Sequence, residues 1–192
     1  VSNGGFLPSD SLNEIIFTNF QKTIFILCLF FSMLNFFFLF NIFNRKVLIR
    51  SHKEDLYLIV ITGIFILFIY FNKFDFFNTI LSVISCLSNS GLSLLETNYN
   101  LSLYFLFLTI VGGSLISNSS GIKLSRFYIL LKITSSEIIK LISPNSVINK
   151  TIFSSENKIT DDKVQISFLI FISFFLSLFI LSSFLILDNI GF

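Results

Sequence analysis

From Val164 to Leu187 the sequence runs without a single charged side chain. From Ile24 to Phe43 it does so again, with Ser32, Asn35 and Asn41 as the only strongly polar interruptions. About 20 consecutive, mostly apolar residues are what a helix needs to cross the roughly 30 Å hydrocarbon core of a bilayer. Both runs therefore predict membrane spans. The composition agrees, with 54% hydrophobic and 12% charged residues and a mean hydropathy of +0.86, far from the averages of water-soluble domains. The fold class expected is an all-α integral membrane protein with the lipid bilayer as its solvent. A net charge of +2, from 13 basic and 11 acidic residues, gives no field strong enough to recruit nucleic acid.

Two further stretches qualify less cleanly. Leu56 to Phe71 is at the short end of a span, and Leu101 to Ile133 is long but interrupted by VGGSLISNSSGIK. Between them Phe76 to Leu87 is apolar but too short to cross, which predicts a re-entrant or buried helix. Basic residues mark cytoplasmic segments. Arg45, Lys46, Arg50 and Lys53 follow the first span, and Lys123, Arg126, Lys132, Lys140, Lys150, Lys158 and Lys163 lie between the broken span and the last. Only Lys22 and Lys73 remain for the outer side. With both basic segments inside, the short run must dip in from the outer face and return, which makes the unit helix, pore loop, helix.

An internal repeat supports that unit. Ser2-Asn3-Gly4-Gly5-Phe6 aligns with Ser88-Asn89-Ser90-Gly91-Leu92, identical at three of five positions, and in each copy a hydrophobic span ending in basic residues follows. The chain has only 8 glycines, three of them in these two segments (Gly4, Gly5 and Gly91). Glycine opens backbone angles closed to other residues, so a loop containing it can turn its carbonyls toward a common axis. Carbonyls at membrane depth are tolerated where they line a water-filled path, and a ring of them replaces the hydration shell of a monovalent cation. These two segments are the candidate filter, and the short helix before the second would aim its negative C-terminal end at it.

Three more glycines fall in the interrupted span. From Leu101 to Val111 a helix rises about 16 Å, near mid-membrane, and there meets Gly112 to Gly121. Polar, glycine-containing backbone at that depth should unwind into a loop facing a cavity. The candidate gate is therefore Gly112, Gly113, Ser114, Ser117, Asn118, Ser119, Ser120 and Gly121, with the serines and Asn118 as its polar surface. Downstream, Glu137 to Leu141 predicts a short amphipathic surface helix stopped by Ser143-Pro144, and Thr160-Asp161-Asp162 predicts the start of the last span. Enzyme chemistry has no parts here. The one histidine, His52, sits among charged loop residues, and Cys28 and Cys86 lie in apolar runs with no partner pattern.

On these motifs the chain resembles the Trk/Ktr/HKT superfamily of potassium transporters, most closely its TrkH-type uptake subunits, over nearly its whole length. SNGGF resembles the family's second filter loop and SCLSNSGLSL, Ser85 to Leu94, its third. GGSLISNSSGIK, Gly112 to Lys123, is similar to the family's unwound segment. EIIKLISPNSV, Glu137 to Val147, and ITDDKV are similar to its connector and the entry to its fourth unit. The resemblance implies four helix–pore loop–helix units around one pore. Residues 1–55 would be the end of the second unit, 56–133 the third, 134–163 a cytoplasmic connector and 164–192 the first helix of the fourth, so the chain would be a fragment of a longer protein.

The resemblance further implies potassium as the transported ion with no bound organic cofactor, a multi-pass location in the bacterial inner (plasma) membrane, a homodimer, and a cytosolic nucleotide-binding regulatory subunit. Two other readings compete. A secondary transporter with discontinuous helices would gather charged or aromatic side chains at the break, and the segment Gly112 to Gly121 contains none. A non-transporting anchor subunit would need no re-entrant helix.

Overall fold

The computed structural model describes residues 15–16, 18–44, 53–71, 75–92, 99–143, 151–153 and 159–187. They form the helices α1 (Asn19–Met33), α2 (Phe36–Phe43), α3 (Lys53–Tyr70), α4 (Phe76–Ser88), α5 (Tyr99–Val111), α6 (Leu124–Ile142) and α7 (Asp161–Leu187). The class is all-helical, and the chain divides into two compact units, Val1–Ser125 and Arg126–Phe192.

In the first unit α1 opens on a capping box. The Gln21 N–H donates to Thr18 Oγ1 at 3.3 Å, and the Thr18 N–H donates to Gln21 Oε1 at 3.2 Å, so two donors of the first turn satisfy each other's residues. The run from Ile24 to Phe43, expected as one span, is broken. α1 stops at Met33 and α2 leaves at 114° to it. Asn35 makes the corner, because its side chain caps α2 by accepting from the Phe37 N–H at 2.9 Å. Its own N–H donates to Asp55 Oδ1 at 2.9 Å. A break in an apolar helix costs little when the freed backbone groups find partners, and here they do so in residues far along the chain.

The helix α3 carries Glu54 and Asp55 in its first turn, where the positive end of the helix dipole favours acids. It runs antiparallel to α5 through the ring pairs Phe65–Phe107 and Phe68–Tyr104, with centroids 6.2 and 5.1 Å apart. The short helix α4 sits among α1, α3 and α5. It is the most enclosed element of the unit: every residue from Leu81 to Ser85 is buried, as are Leu87 and Ser88. Its bounds agree with the short run Phe76 to Leu87. The interruption expected in Leu101 to Ile133 is also present, since the chain leaves α5 at Val111 and re-enters helix at Leu124.

In the second unit α6 continues unbroken to Ile142. Glu137 to Leu141 is thus its last turns rather than a separate surface helix, with Lys140 paired to Glu137 at 3.1 Å. Lys132 Nζ donates to the Thr151 carbonyl at 3.0 Å, and Tyr128 stacks on Phe153 at 4.3 Å. The helix α7 starts at Asp161, one residue after Thr160, with two acids in its first turn. Its five serines, Ser167, Ser173, Ser177, Ser182 and Ser183, each donate to a carbonyl three or four residues back. Each serine thus uses its proton inside the helix, so beyond Gln165 the surface α7 offers is mainly apolar. Among the described residues Asp161–Phe184 is the one helix long and apolar enough to cross a membrane; the bent α1–α2 pair passes the same test only if counted as one span.

Candidate functional site

Two loops carry the residues singled out from the sequence. The first follows α4. Asn89 takes a left-handed conformation at φ 55° and ends the helix; its N–H donates to the Cys86 carbonyl at 3.2 Å, and the Ser90 N–H donates to the Ser85 carbonyl at 3.0 Å. This is the Schellman ending of a helix. The chain then needs a second left-handed residue two positions on, and Gly91 supplies it at φ 71°.

The loop is fixed from below by Ser85. Its hydroxyl accepts from the Leu92 N–H at 2.9 Å and shares a hydrogen with the buried Ser90 hydroxyl at 2.8 Å. Leu92 packs with Ile16 and Phe25, which ties the far end of the loop to α1. Ser88, Ser90 and Leu92 are buried, Asn89 is half-buried and Gly91 is exposed. Among the described residues the carbonyls of Ser88 to Gly91 accept no hydrogen bond. They lie just past the negative end of the α4 dipole. Ser2, Asn3, Gly4, Gly5 and Phe6, the other half of the candidate filter, lie outside the described residues.

The second loop joins α5 to α6. Gly112 turns the chain out of α5 at φ 64°, and Gly121 turns it back at φ 89°, so the loop leaves and returns at one place. The Ile122 N–H then donates to the Ile110 carbonyl at 3.0 Å and the Leu124 N–H to the Gly113 carbonyl at 3.1 Å. Of the polar surface expected from the sequence, Asn118 and Ser120 are exposed, whereas the Ser117 and Ser119 hydroxyls turn inward. These two hydroxyls staple the loop to itself. Ser119 Oγ accepts from the buried Gly113 N–H at 3.0 Å, Ser117 Oγ donates to the Ser114 carbonyl at 2.7 Å, and the two hydroxyls lie 2.7 Å apart.

Lys123 closes the ring of polar contacts. Its ammonium donates to the carbonyl of Ser119 and, at 3.2 Å each, to the carbonyl and hydroxyl of Ser117. Of the predicted gate residues, Gly112, Gly113, Ser114 and Ser119 are buried, Ser117 and Gly121 half-buried, and only Asn118 and Ser120 exposed; the tip is apolar, formed by the exposed Leu115 and Ile116.

This loop is docked onto the corner between α1 and α2. The Ser114 N–H donates to the Met33 carbonyl at 3.0 Å, the Asn118 N–H to the Ser32 carbonyl at 3.1 Å, and the Phe36 N–H to the Ile116 carbonyl at 2.9 Å. A cavity of ≈ 480 Å³ opens between them, with Phe31, Leu34 and Phe36 on one wall and Leu115 and Ile116 on the other. Glu54 reaches the tip and accepts from the Leu115 N–H at 2.8 Å. Burial pushes the Glu54 carboxyl above its usual value and the charge of Asp55 adds to this, while the bonds from Leu115 and Ser125 pull it down.

Sequence reasoning passed over Ser85, Asn35, Glu54, Asp55 and Lys123. Asn35 alone carried a signal, a polar residue inside an apolar run. The break does gather charged side chains, Glu54 and Lys123, against the expectation drawn from its own residues. No metal-binding group of His, Cys, Asp and Glu occurs among the described residues. No protein-family model matches the chain, and no curated protein matches it.

Proposed function

We propose that this chain is part of a potassium uptake pore in a bacterial plasma membrane, with the loop Ser88–Leu92 as one quarter of the ion filter and the loop Gly112–Gly121 as a gate. One observation carries the reading: a short helix packed among α1, α3 and α5 ends in a left-handed loop whose carbonyls accept no hydrogen bond among the described residues. Where such oxygens are withdrawn from water they cost free energy unless something binds them, and a desolvated alkali cation is a partner of matching charge. The interruption between Val111 and Leu124, closed on itself by Gly112 and Gly121, supports the gate.

In this reading the apolar faces of α1, α3, α5 and α7 meet lipid or further pore units, consistent with exposed Phe20, Leu103 and Phe179, each more than 70% accessible. Four such units close one ring in the family the chain resembles, so Ser2–Phe6 would be a second quarter, and the remaining loops would come from a longer polypeptide. A homodimer and a nucleotide-binding cytosolic subunit belong to the same proposal. Binding at the filter is by main-chain oxygen, with no covalent chemistry and no resident cofactor.

The charges at the break favour a second reading, a small-solute transporter with discontinuous helices. They fit it less well than they fit a gate, because Glu54 and Lys123 bond to the main chain of the loop itself. Rubidium uptake into proteoliposomes by the full-length protein separates the two. The pore reading predicts uptake suppressed by potassium and not by sodium; equal suppression by both ions, or no uptake, would overturn it.

A further inference from the structure

The acids of the first turn of α3 stand where two interrupted helices meet. Glu54 Oε1 takes the Leu115 N–H at the tip of the glycine loop at 2.8 Å. One residue on, Asp55 Oδ1 takes the Asn35 N–H in the α1–α2 corner at 2.9 Å. The loop and the corner bond directly to each other as well, through Ser32, Met33, Ser114, Ile116, Asn118 and the Phe36 N–H. Three backbone bonds thus join loop to corner, and two neighbouring carboxylates hold one side each.

Asp55 is fully buried and Glu54 partly so. A buried carboxylate is retained when N–H groups around it donate to it. Bonds from an N–H to a charged oxygen are about twice as strong as neutral ones. The tip therefore has one strong anchor outside its own ring and the corner, and that anchor belongs to a different helix.

We propose that Glu54 and Asp55 are positioning residues, a two-carboxylate clip on α3 that sets the glycine loop against the α1–α2 corner and must let go before the loop can move. The clip is a statement about the loop's position. Its consequence for ion passage rests on the pore reading above.

Hydrogen–deuterium exchange on the full-length protein tests the clip. In Glu54→Ala the amides of residues 112–121 should exchange about tenfold faster, the loss of one charge-assisted bond. In Asp55→Asn the rise should centre on 34–37. Amides of α4 should keep their parent rates in both, whereas a merely destabilising change would loosen α4 as well. Should Glu54→Ala not fold, Glu54→Gln decides, since it keeps the acceptor oxygen and loses only the charge; it should give a smaller rise over the same residues. Parent-like exchange of the loop in a folded Glu54 variant overturns the clip, as does a rise spread evenly over α4 and the loop. Rubidium uptake by the same variants separates the two proposals: a loosened loop with altered uptake supports both, and a loosened loop with unaltered uptake keeps the clip and removes the gate.

Discussion

Gly112→Ala is expected to dislodge the glycine loop while leaving the neighbouring helices in place. The residue sits at φ 64°, and an L side chain held in that region costs roughly 1–2 kcal/mol. A Cβ there would also meet the Ser120 carbonyl, and it would come within 3.3 Å of Gly121 Cα. Backbone on both sides cannot give way as a flexible side chain could. The loop's exit and return lie back to back at this point, so separating them pulls on the Gly113 N–H bond to Ser119 and on the docking of Ser114 to Met33. A loss of about 2–4 kcal/mol in local stability follows, in the range for a strained backbone position. Amide exchange over residues 112–121 should rise by more than an order of magnitude, and rubidium uptake should lose its control. The comparison variant is Gly63→Ala in α3, where an added Cβ meets nothing within 4 Å; it should be neutral or slightly stabilising, as alanine is in a helix interior. Equal behaviour of the two variants would mean that the loop is not held as described.

Gly91→Ser is expected to degrade the preference for potassium over sodium by about tenfold, which is roughly 1.4 kcal/mol of differential binding. The substitution adds one polar side chain to an exposed residue at φ 71°. The strain shifts the peptide planes on either side, and those planes carry the carbonyls assigned to the ion. Sodium and potassium differ in how closely oxygens must approach, so a filter that has lost its spacing loses discrimination before it loses conduction. Competition of sodium and potassium against rubidium uptake, in parent and variant, reads this directly. Selectivity unchanged in a folded Gly91→Ser protein would remove Gly91 from the filter.

How far the sequence reached depends on where each feature's cause lies. The helix Phe76–Ser88 was legible because an apolar run too short to span has few other fates, and the start of α7 was legible from Thr160-Asp161-Asp162. The interruption after Val111 was legible from paired glycines amid serines. The corner at Asn35 was not, because its cause is remote: the carboxylate of Asp55 and the N–H groups of Ser114 and Asn118 take up the freed backbone, and an apolar count registers none of them. The inward turn of Ser117 and Ser119 was hidden for the same reason, since composition shows that a segment is polar without showing which way it faces. Lys123 was counted as a cytoplasmic charge. Its ammonium instead closes the loop that precedes it. The unbroken run of α6 to Ile142 shows the opposite error, a helix end read into the polar stretch before Glu137.

The ion itself supplies the most direct test. Crystals of the full-length protein grown in rubidium, with anomalous scattering used to locate the ion, should show a peak in contact with the carbonyls of Ser88 to Gly91 just beyond the end of α4. A protein that transports rubidium yet shows no peak there, or one whose Gly91 carbonyl faces lipid, would contradict the account.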